Sequence, residues 1–212
     1  MMVRKVVFSS DDVIKAGLAV MDKDGVENLS ARRVAEELGA STAPVYSNFA
    51  NMDDLVRAVK LEAVDVLLDL TRRKHTEDAF LNMGVGVLEF ARQHPLLYSA
   101  LFQQANDECE AGPGVMMELL ERMAVLPDLK HLMPVERIIL LRKVAIFTHG
   151  LATHICSGLP PGIRWEDLLL LLEEVGGAIM ADAVARSPRT DEDLARFGSL
   201  CEIPLKPSKD AK

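Results

Sequence analysis

Cysteine is scarce in this 212-residue chain: Cys109, Cys156 and Cys201 are the whole set, with no CxxC pair and no histidine beside them at zinc spacing. An odd, scattered trio excludes a disulfide framework and a structural metal site, and suits a reducing cytoplasm. No secretory leader is expected, since Arg4 and Lys5 are followed by only Val6 to Phe8 as an apolar run. No membrane span is expected: the longest charge-free stretch, Val144 to Ile163, is broken by Thr148, His149, Thr153, His154, Ser157 and Pro160-Pro161. Positive charge is in deficit as well, 24 Lys and Arg against 32 Asp and Glu for a net of -8, which excludes a molecule that is basic all over. The deficit is uneven: residues 1–60 carry 8 basic and 9 acidic side chains, so nearly all the acidic excess lies downstream.

What the chain has is helical periodicity. Apolar residues recur at three- and four-residue spacing almost throughout, and no alternating run bounded by hairpin turns is present. The fold class is all-α. Ser9 or Ser10 caps a first helix with Asp11 and Asp12 in its opening turn, Ile14, Leu18 and Met21 on one face, and Gly25 as its stop. Ser30 starts a very short second helix with Val34, Ala35 and Leu38 as its apolar edge, and Gly39 supplies a left-handed end. A third begins three residues later, with Pro44 in its first turn and Val45 and Phe49 as inward anchors. Two short helices joined around a glycine make a helix-turn-helix. Asn51 then caps a longer helix to about Arg73, with Leu55, Val59, Val66 and Leu70 facing inward. Further helices are expected over 76–93, 95–107, 113–125, 134–157 and 165–186, separated by proline and glycine breaks, with residues 199–212 as a frayed tail.

Residues 12–59 resemble the N-terminal DNA-binding domain of the tetracycline-repressor (TetR) family of bacterial transcription regulators. Ala16, Gly25, Leu29, Ser30, Val34-Ala35, Leu38-Gly39, Val45-Tyr46, Phe49 and Leu55 carry the likeness, over about a quarter of the chain. His94-Pro95 to Tyr98, together with Phe147 to Leu151, is similar to the subset whose C-terminal domain is named for a Trp-His-Gly motif, although Thr148 stands where the tryptophan would be. The resemblance implies three parts: a helix-turn-helix domain over 1–52 with 1–8 as a flexible arm, a larger helical effector-binding and dimerisation domain over 53–190, and a tail over 191–212. It implies a cytoplasmic homodimer that binds a double-stranded operator, probes two major grooves about 34 Å apart, and is a repressor released by a small, largely hydrophobic effector.

On this resemblance Ser41, Thr42, Ala43 and Pro44 lead the recognition helix, with Ser47 on the same side. Hydroxyls of Thr42 and Ser47 can pair with base edges, and Ala43 and Pro44 can touch a thymine methyl. Tyr46 matches the family tyrosine that meets the DNA backbone, or else packs within the domain. Between Thr42 and Asn51 there is no Lys or Arg, where many relatives have lysine after the aromatic. Phosphate contacts therefore fall to Arg32 and Arg33, if these are not merely solvated surface charges, and to Arg4 and Lys5 as an arm.

The downstream half is rich in methionine. Met83, Met116 and Met117, with Phe90, Tyr98 and Phe102, are the candidate effector lining, and His149 a candidate polar contact, with Gln103 and His154 beside it; each is equally an ordinary core or structural residue. Leu168, Leu172, Gly176 and Ile179 are the candidate dimer face, on a helix apolar around most of its circumference. No metal, cofactor or enzymatic activity is expected. GxSxG, HExxH, P-loop and dinucleotide fingerprints are all missing, and Cys109 has acidic neighbours that disfavour a thiolate. The alternative is a helical ligand-binding or adaptor protein with weak DNA binding, because of the missing lysines.

Overall fold

The structure, a computed structural model, describes residues 8–102 and 111–201. Arg4, Lys5, Gln103, Cys109 and the chain beyond residue 201 lie outside the described residues. Ten α-helices follow in order among the described residues: α1 Ser10–Asp24, α2 Ala31–Leu38, α3 Ala43–Asn48, α4 Met52–Arg72, α5 Ala79–Gln93, α6 Pro95–Phe102, α7 Ala111–Val125, α8 Pro134–Ser157, α9 Trp165–Ala185 and α10 Asp191–Ala195. Short 3-10 turns occupy Val26–Asn28 and Gly198–Cys201, and no strand occurs among the described residues. The described residues fall into two compact units, one within Met1–Val66 and His94–Asp107, the other within Leu67–Gln93 and Glu108–Lys212. One continuous helix, α4, contributes residues to both.

The first unit packs α1, α2, α3, the opening turns of α4, and α6. Its α1 starts with a capping box: the Ser9 hydroxyl accepts the Asp12 N–H at 3.2 Å, and the Asp12 carboxylate accepts the Ser9 N–H at 2.8 Å. That backbone N–H and the Ser9 hydroxyl hold the Asp12 carboxyl below its ordinary range. Val13, Val20, Met21, Val34, Leu55 and Val59 form the core, at 4% exposure or less. Gly17 lets α1 approach α4, because a Cβ there would lie 2.6 Å from Val59 Cγ2. Helix α6 rests on α1 and on the 3-10 turn. His94 Nδ1 lies 2.8 Å from the Asp22 carboxylate just ahead of it, and Tyr98 is buried with its ring 4.9 Å from that of Phe102.

In the second unit α8 meets α5, α7 and α9. It is long and apolar enough to cross a membrane by length and composition. Its buried residues run from Glu136 through Ile138 to Leu141 and on to Leu151 and Ala152, which is how a helix apolar on many sides serves as a core helix. The last turn of α4 is held by α7: Arg122 donates to Thr71 Oγ1 at 2.8 Å and to the Thr71 carbonyl at 2.6 Å, and Arg72 donates to Glu118 at 2.9 Å. Burial pushes the Arg122 guanidinium below its ordinary value.

Boundaries differ from expectation in three places. α5 begins at Ala79 because Asp78 Oδ1 accepts the Phe80 and Leu81 N–H groups at 2.7 and 3.0 Å. The region beyond 190, expected as a tail, contains α10, started by a capping box in which Thr190 Oγ1 accepts the Asp193 N–H at 3.2 Å. Phe49, expected as an inward anchor, is only half-buried, because it is the residue that ends α3.

Candidate nucleic-acid interface

The Ser30 hydroxyl accepts the Arg33 N–H at 3.4 Å to start α2, and Gly39 ends it at φ 64°, ψ 33°. That left-handed residue lets the Ala40 N–H reach back to the Ala35 carbonyl at 2.9 Å, which turns the chain sharply into α3. Ser41 Oγ then accepts the Ala43 N–H at 3.4 Å, and Pro44 takes an early position where no helical hydrogen bond is lost. Val45, 1% exposed, pins α3 to the unit. The other side of α3 faces solvent: Ser41, Thr42, Ala43 and Ser47 are exposed, Tyr46 is 62% exposed, and Pro44 is half-buried. The packing alternative for Tyr46 is thereby removed within this chain. Ser47 Oγ donates to the Pro44 carbonyl at 3.0 Å, which leaves its lone pairs outward.

Asn48 is a residue that the sequence did not single out. Its Nδ2 donates to the Pro44 carbonyl at 2.8 Å and to the Phe8 carbonyl at 3.3 Å, so it fixes where the segment before α1 meets α3. An asparagine four residues after a first-turn proline was the available signal.

Arg32 and Arg33 stand on the exposed side of α2, and both are already engaged. Arg32 Nε donates to Glu36 Oε1 at 2.9 Å; Arg33 donates to Asp24 at 3.0 Å and lies 3.8 Å from the second Glu36 oxygen. The cationic side of the helix-turn-helix is thus largely neutralised by its own carboxylates, and these exposed pairs are weak enough to be exchanged for phosphate.

The candidate effector residues are divided between the two units. Met83 and Phe90 are buried in the second unit, whereas Tyr98 and Phe102 belong to the first, because α6 returns to α1. Met116 is half-buried and Met117 is 40% exposed. His149 and His154 lie on the exposed side of α8 rather than facing its core, His149 one position away from Thr148, which is 4% exposed. Most of the candidate dimer face is already covered within the single chain. Leu168, Leu172 and Gly176 are buried within the single chain, Ile179 is half-buried, and the apolar residues that α9 leaves on its surface are Leu170 and Leu171, at 55% and 42% exposure. No group of three or more His, Cys, Asp or Glu able to hold a metal occurs among the described residues.

Residues 13–59 match the family model of bacterial regulatory proteins, tetR family. An uncharacterised HTH-type transcriptional regulator of Mycobacterium tuberculosis (strain ATCC 25618 / H37Rv) is 27% identical over 46% of this chain and 46% of its own length. The HTH-type transcriptional repressor DrrR1 of Streptomyces coeruleorubidus is 30% identical over 53% of this chain and 41% of its own length. The HTH-type nicotine-responsive transcriptional repressor HdnoR of Paenarthrobacter nicotinovorans is 39% identical over 26% of this chain and 29% of its own length. The chain thus spans less than half the length of these curated relatives. The crystal structure of a TetR variant from Acinetobacter baumannii AYE in complex with minocycline superposes with a TM-score of 0.50 over 95% of this chain and 98% of that one, at 16% identity, a likeness of fold. Over residues 13–59, therefore, the chain is similar to bacterial regulatory proteins of the tetR family, and its described residues form an all-helical fold like that of TetR.

Proposed function

We propose that the chain is a DNA-binding transcriptional regulator, a repressor that leaves a double-stranded operator when a small, largely hydrophobic effector binds its second unit. The observation that carries it is α3: six residues anchored by Val45, with the hydroxyls of Ser41, Thr42 and Ser47 and the phenol of Tyr46 turned to solvent inside the segment that matches the family. Two matched relatives named as repressors, one of them nicotine-responsive, support repression and an effector. Exposed Leu170, Leu171 and Ile146, beside the small Gly177 and Ala178, support a homodimer through α8 and α9. Membership of the Trp-His-Gly subset rests on His94-Pro95 to Tyr98 and Phe147 to Leu151, with Thr148 in place of the tryptophan, and cytoplasmic localisation and the lack of catalysis follow from the regulator role.

Gel shift with the region upstream of the chain's own gene tests this proposal. Selective retardation, reversed by a small molecule, is expected. With two arginines per protomer, the slope of log affinity against log salt should be about -4 for a dimer. A slope near -9 would show phosphate contacts beyond these arginines, whereas no selectivity between operator and bulk DNA would overturn the proposal and favour a helical adaptor, the second reading that the engaged arginines support.

Glu36→Gln supplies a second test. It keeps the helix former but removes the carboxylate that pairs with both arginines. Operator affinity should rise about fivefold, since exposed pairs of this kind are worth up to about 1 kcal/mol, and the salt slope should steepen. Weaker binding would instead show that Glu36 orients the arginines for DNA.

A further inference from the structure

On the second unit, the connection from α4 to α5 together with α8 and α9 encloses a recess of about 300 Å3. Phe80, Leu81, Val144, Leu172 and Met180 make its walls apolar. Its titratable lining is wholly acidic, namely Glu77, Asp78 and Glu173, with no Lys, Arg or His among the residues that line it.

Two glycines in its wall have opposite reasons. At Gly84 a Cβ would meet Leu172 Cδ2 at 3.1 Å, so glycine there lets α5 close on α9. Gly176 is buried, yet a Cβ at that position would meet nothing within 4 Å. Its missing side chain serves no helix contact in the chain and leaves the recess open. The rim is held rigidly: Asn82 Oδ1 accepts the Thr76 and His75 N–H groups at 2.7 and 3.1 Å, and its Nδ2 donates to the Thr76 carbonyl at 3.1 Å. The three carboxylates differ in what is left to them. Glu77 pairs with Lys74 at 2.8 Å, and one Asp78 oxygen is taken by the first-turn amides of α5. Glu173 is exposed and has no ion pair or hydrogen bond among the described residues.

We propose that this recess binds a small amphipathic cation, with its hydrocarbon or aromatic body against Phe80, Leu81, Val144, Leu172 and Met180 and its charged head toward Glu173 and Asp78. The volume is at the lower end for ligand sites, an aromatic beside carboxylates favours a cation, and an anionic ligand would meet only like charge. The proposal rests on the regulator function for its consequence at the operator, but not for the binding itself.

Calorimetric titration of the full chain, free of DNA, separates the two. The probes are (3-phenylpropyl)trimethylammonium, neutral 3-phenylpropanol and anionic 3-phenylpropionate. The cation should bind once per chain at least tenfold more tightly than the alcohol, and the anion not at all. Glu173→Gln should cost the cation about fivefold and leave the alcohol unchanged, while Gly176→Leu, with its helix content and oligomeric state checked, should abolish both. Equal binding of alcohol and cation, full binding to Gly176→Leu, or no cation binding at millimolar concentration would overturn the proposal. Should Gly176→Leu fail to fold, Glu173→Lys takes its place, and retained cation binding there overturns the proposal equally. Cation binding that leaves a gel-shifted complex intact keeps the site and removes its effector role; failure of the chain to bind DNA leaves the titration result standing.

Discussion

Gly86→Ala is expected to lower the stability of the chain by about 3 kcal/mol, although alanine is the better helix former by about 1 kcal/mol in isolation. Gly86 lies on α5 where that helix touches the last turn of α4. A Cβ there would sit 2.4 Å from Thr71 Cα and 2.5 Å from its nitrogen. Both are backbone atoms, which cannot swing aside as a side chain can. Thr71 is fully buried and cannot yield: its hydroxyl donates to the Leu68 carbonyl at 2.8 Å while it and the Thr71 carbonyl accept from Arg122. The matched control is Gly150→Ala on the exposed side of α8, where a Cβ would meet nothing within 4 Å. That variant should gain up to about 1 kcal/mol by propensity alone. Denaturant midpoints with unchanged slopes would show opposite signs for the two. A loss at Gly150 would instead mark the place where another chain's helix packs. Under the proposed function the clasp also bears on regulation. An effector alters operator affinity only by its differential affinity for two settings of the molecule, and α4 is the helix that both units share. Loosening the contact at Thr71 should therefore change the response to effector more than the intrinsic contacts of α3.

How far the sequence could be read depended on whether a residue's neighbours were local. Ser30, Gly39, Pro44 and Asn51 act within one turn, and each does what its chemistry predicts. Proline and glycine breaks placed α8 at Pro134–Ser157 and α9 at Trp165–Ala185 almost to the residue. Phase was harder than extent. Leu168 to Leu172 form an unbroken apolar run, so nothing in the sequence says which of the five faces inward. In the fold the contacts of α9 with α5 and α8 settle it, and Leu170 and Leu171 are left outside where Leu168 and Leu172 had been expected. His149 escaped for the same reason, with its neighbours Thr148 and Leu151 on the buried side and itself one step around. Asp24 as partner of Arg33, and α6 as part of the first unit, depend on distant chain segments that no local pattern signals. The short α10 was legible after all: Thr190 followed by Asp193 is a capping box, set in a stretch whose charge suggested a tail.

Glu136→Ala should cost about 3 kcal/mol, lowering the melting temperature by about 10 °C, in spite of removing a charge from the interior. Glu136 is 2% exposed at the start of α8. Its Oε2 accepts the Met133 N–H at 2.9 Å and the Ser187 hydroxyl at 2.7 Å, and its Oε1 accepts the Arg189 N–H at 2.8 Å. Burial by itself would raise its pKa, but these three hydrogen bonds and the charge of Arg189 outweigh burial and hold it below the ordinary glutamate value of 4.5. Alanine strands all three donors, each on a half-buried residue. The sign of the pH dependence follows from the lowered pKa. The stabilisation by Glu136 is fully present above the unfolded value near 4.5 and is lost as the pH falls through the lower, folded value. Urea unfolding of both proteins should therefore show a constant gap from neutral pH down to about 5, closing below it. A gap that stayed open at the most acidic pH would mean that lost packing, rather than the ionised carboxylate, sets the cost. Ser187 and Arg189 follow directly on α9, so the same three bonds fasten its end to the start of α8. If those two helices form the homodimer, association of Glu136→Ala should weaken with its stability, read as a rise in the dimer dissociation constant at pH 7 that shrinks below pH 4.5.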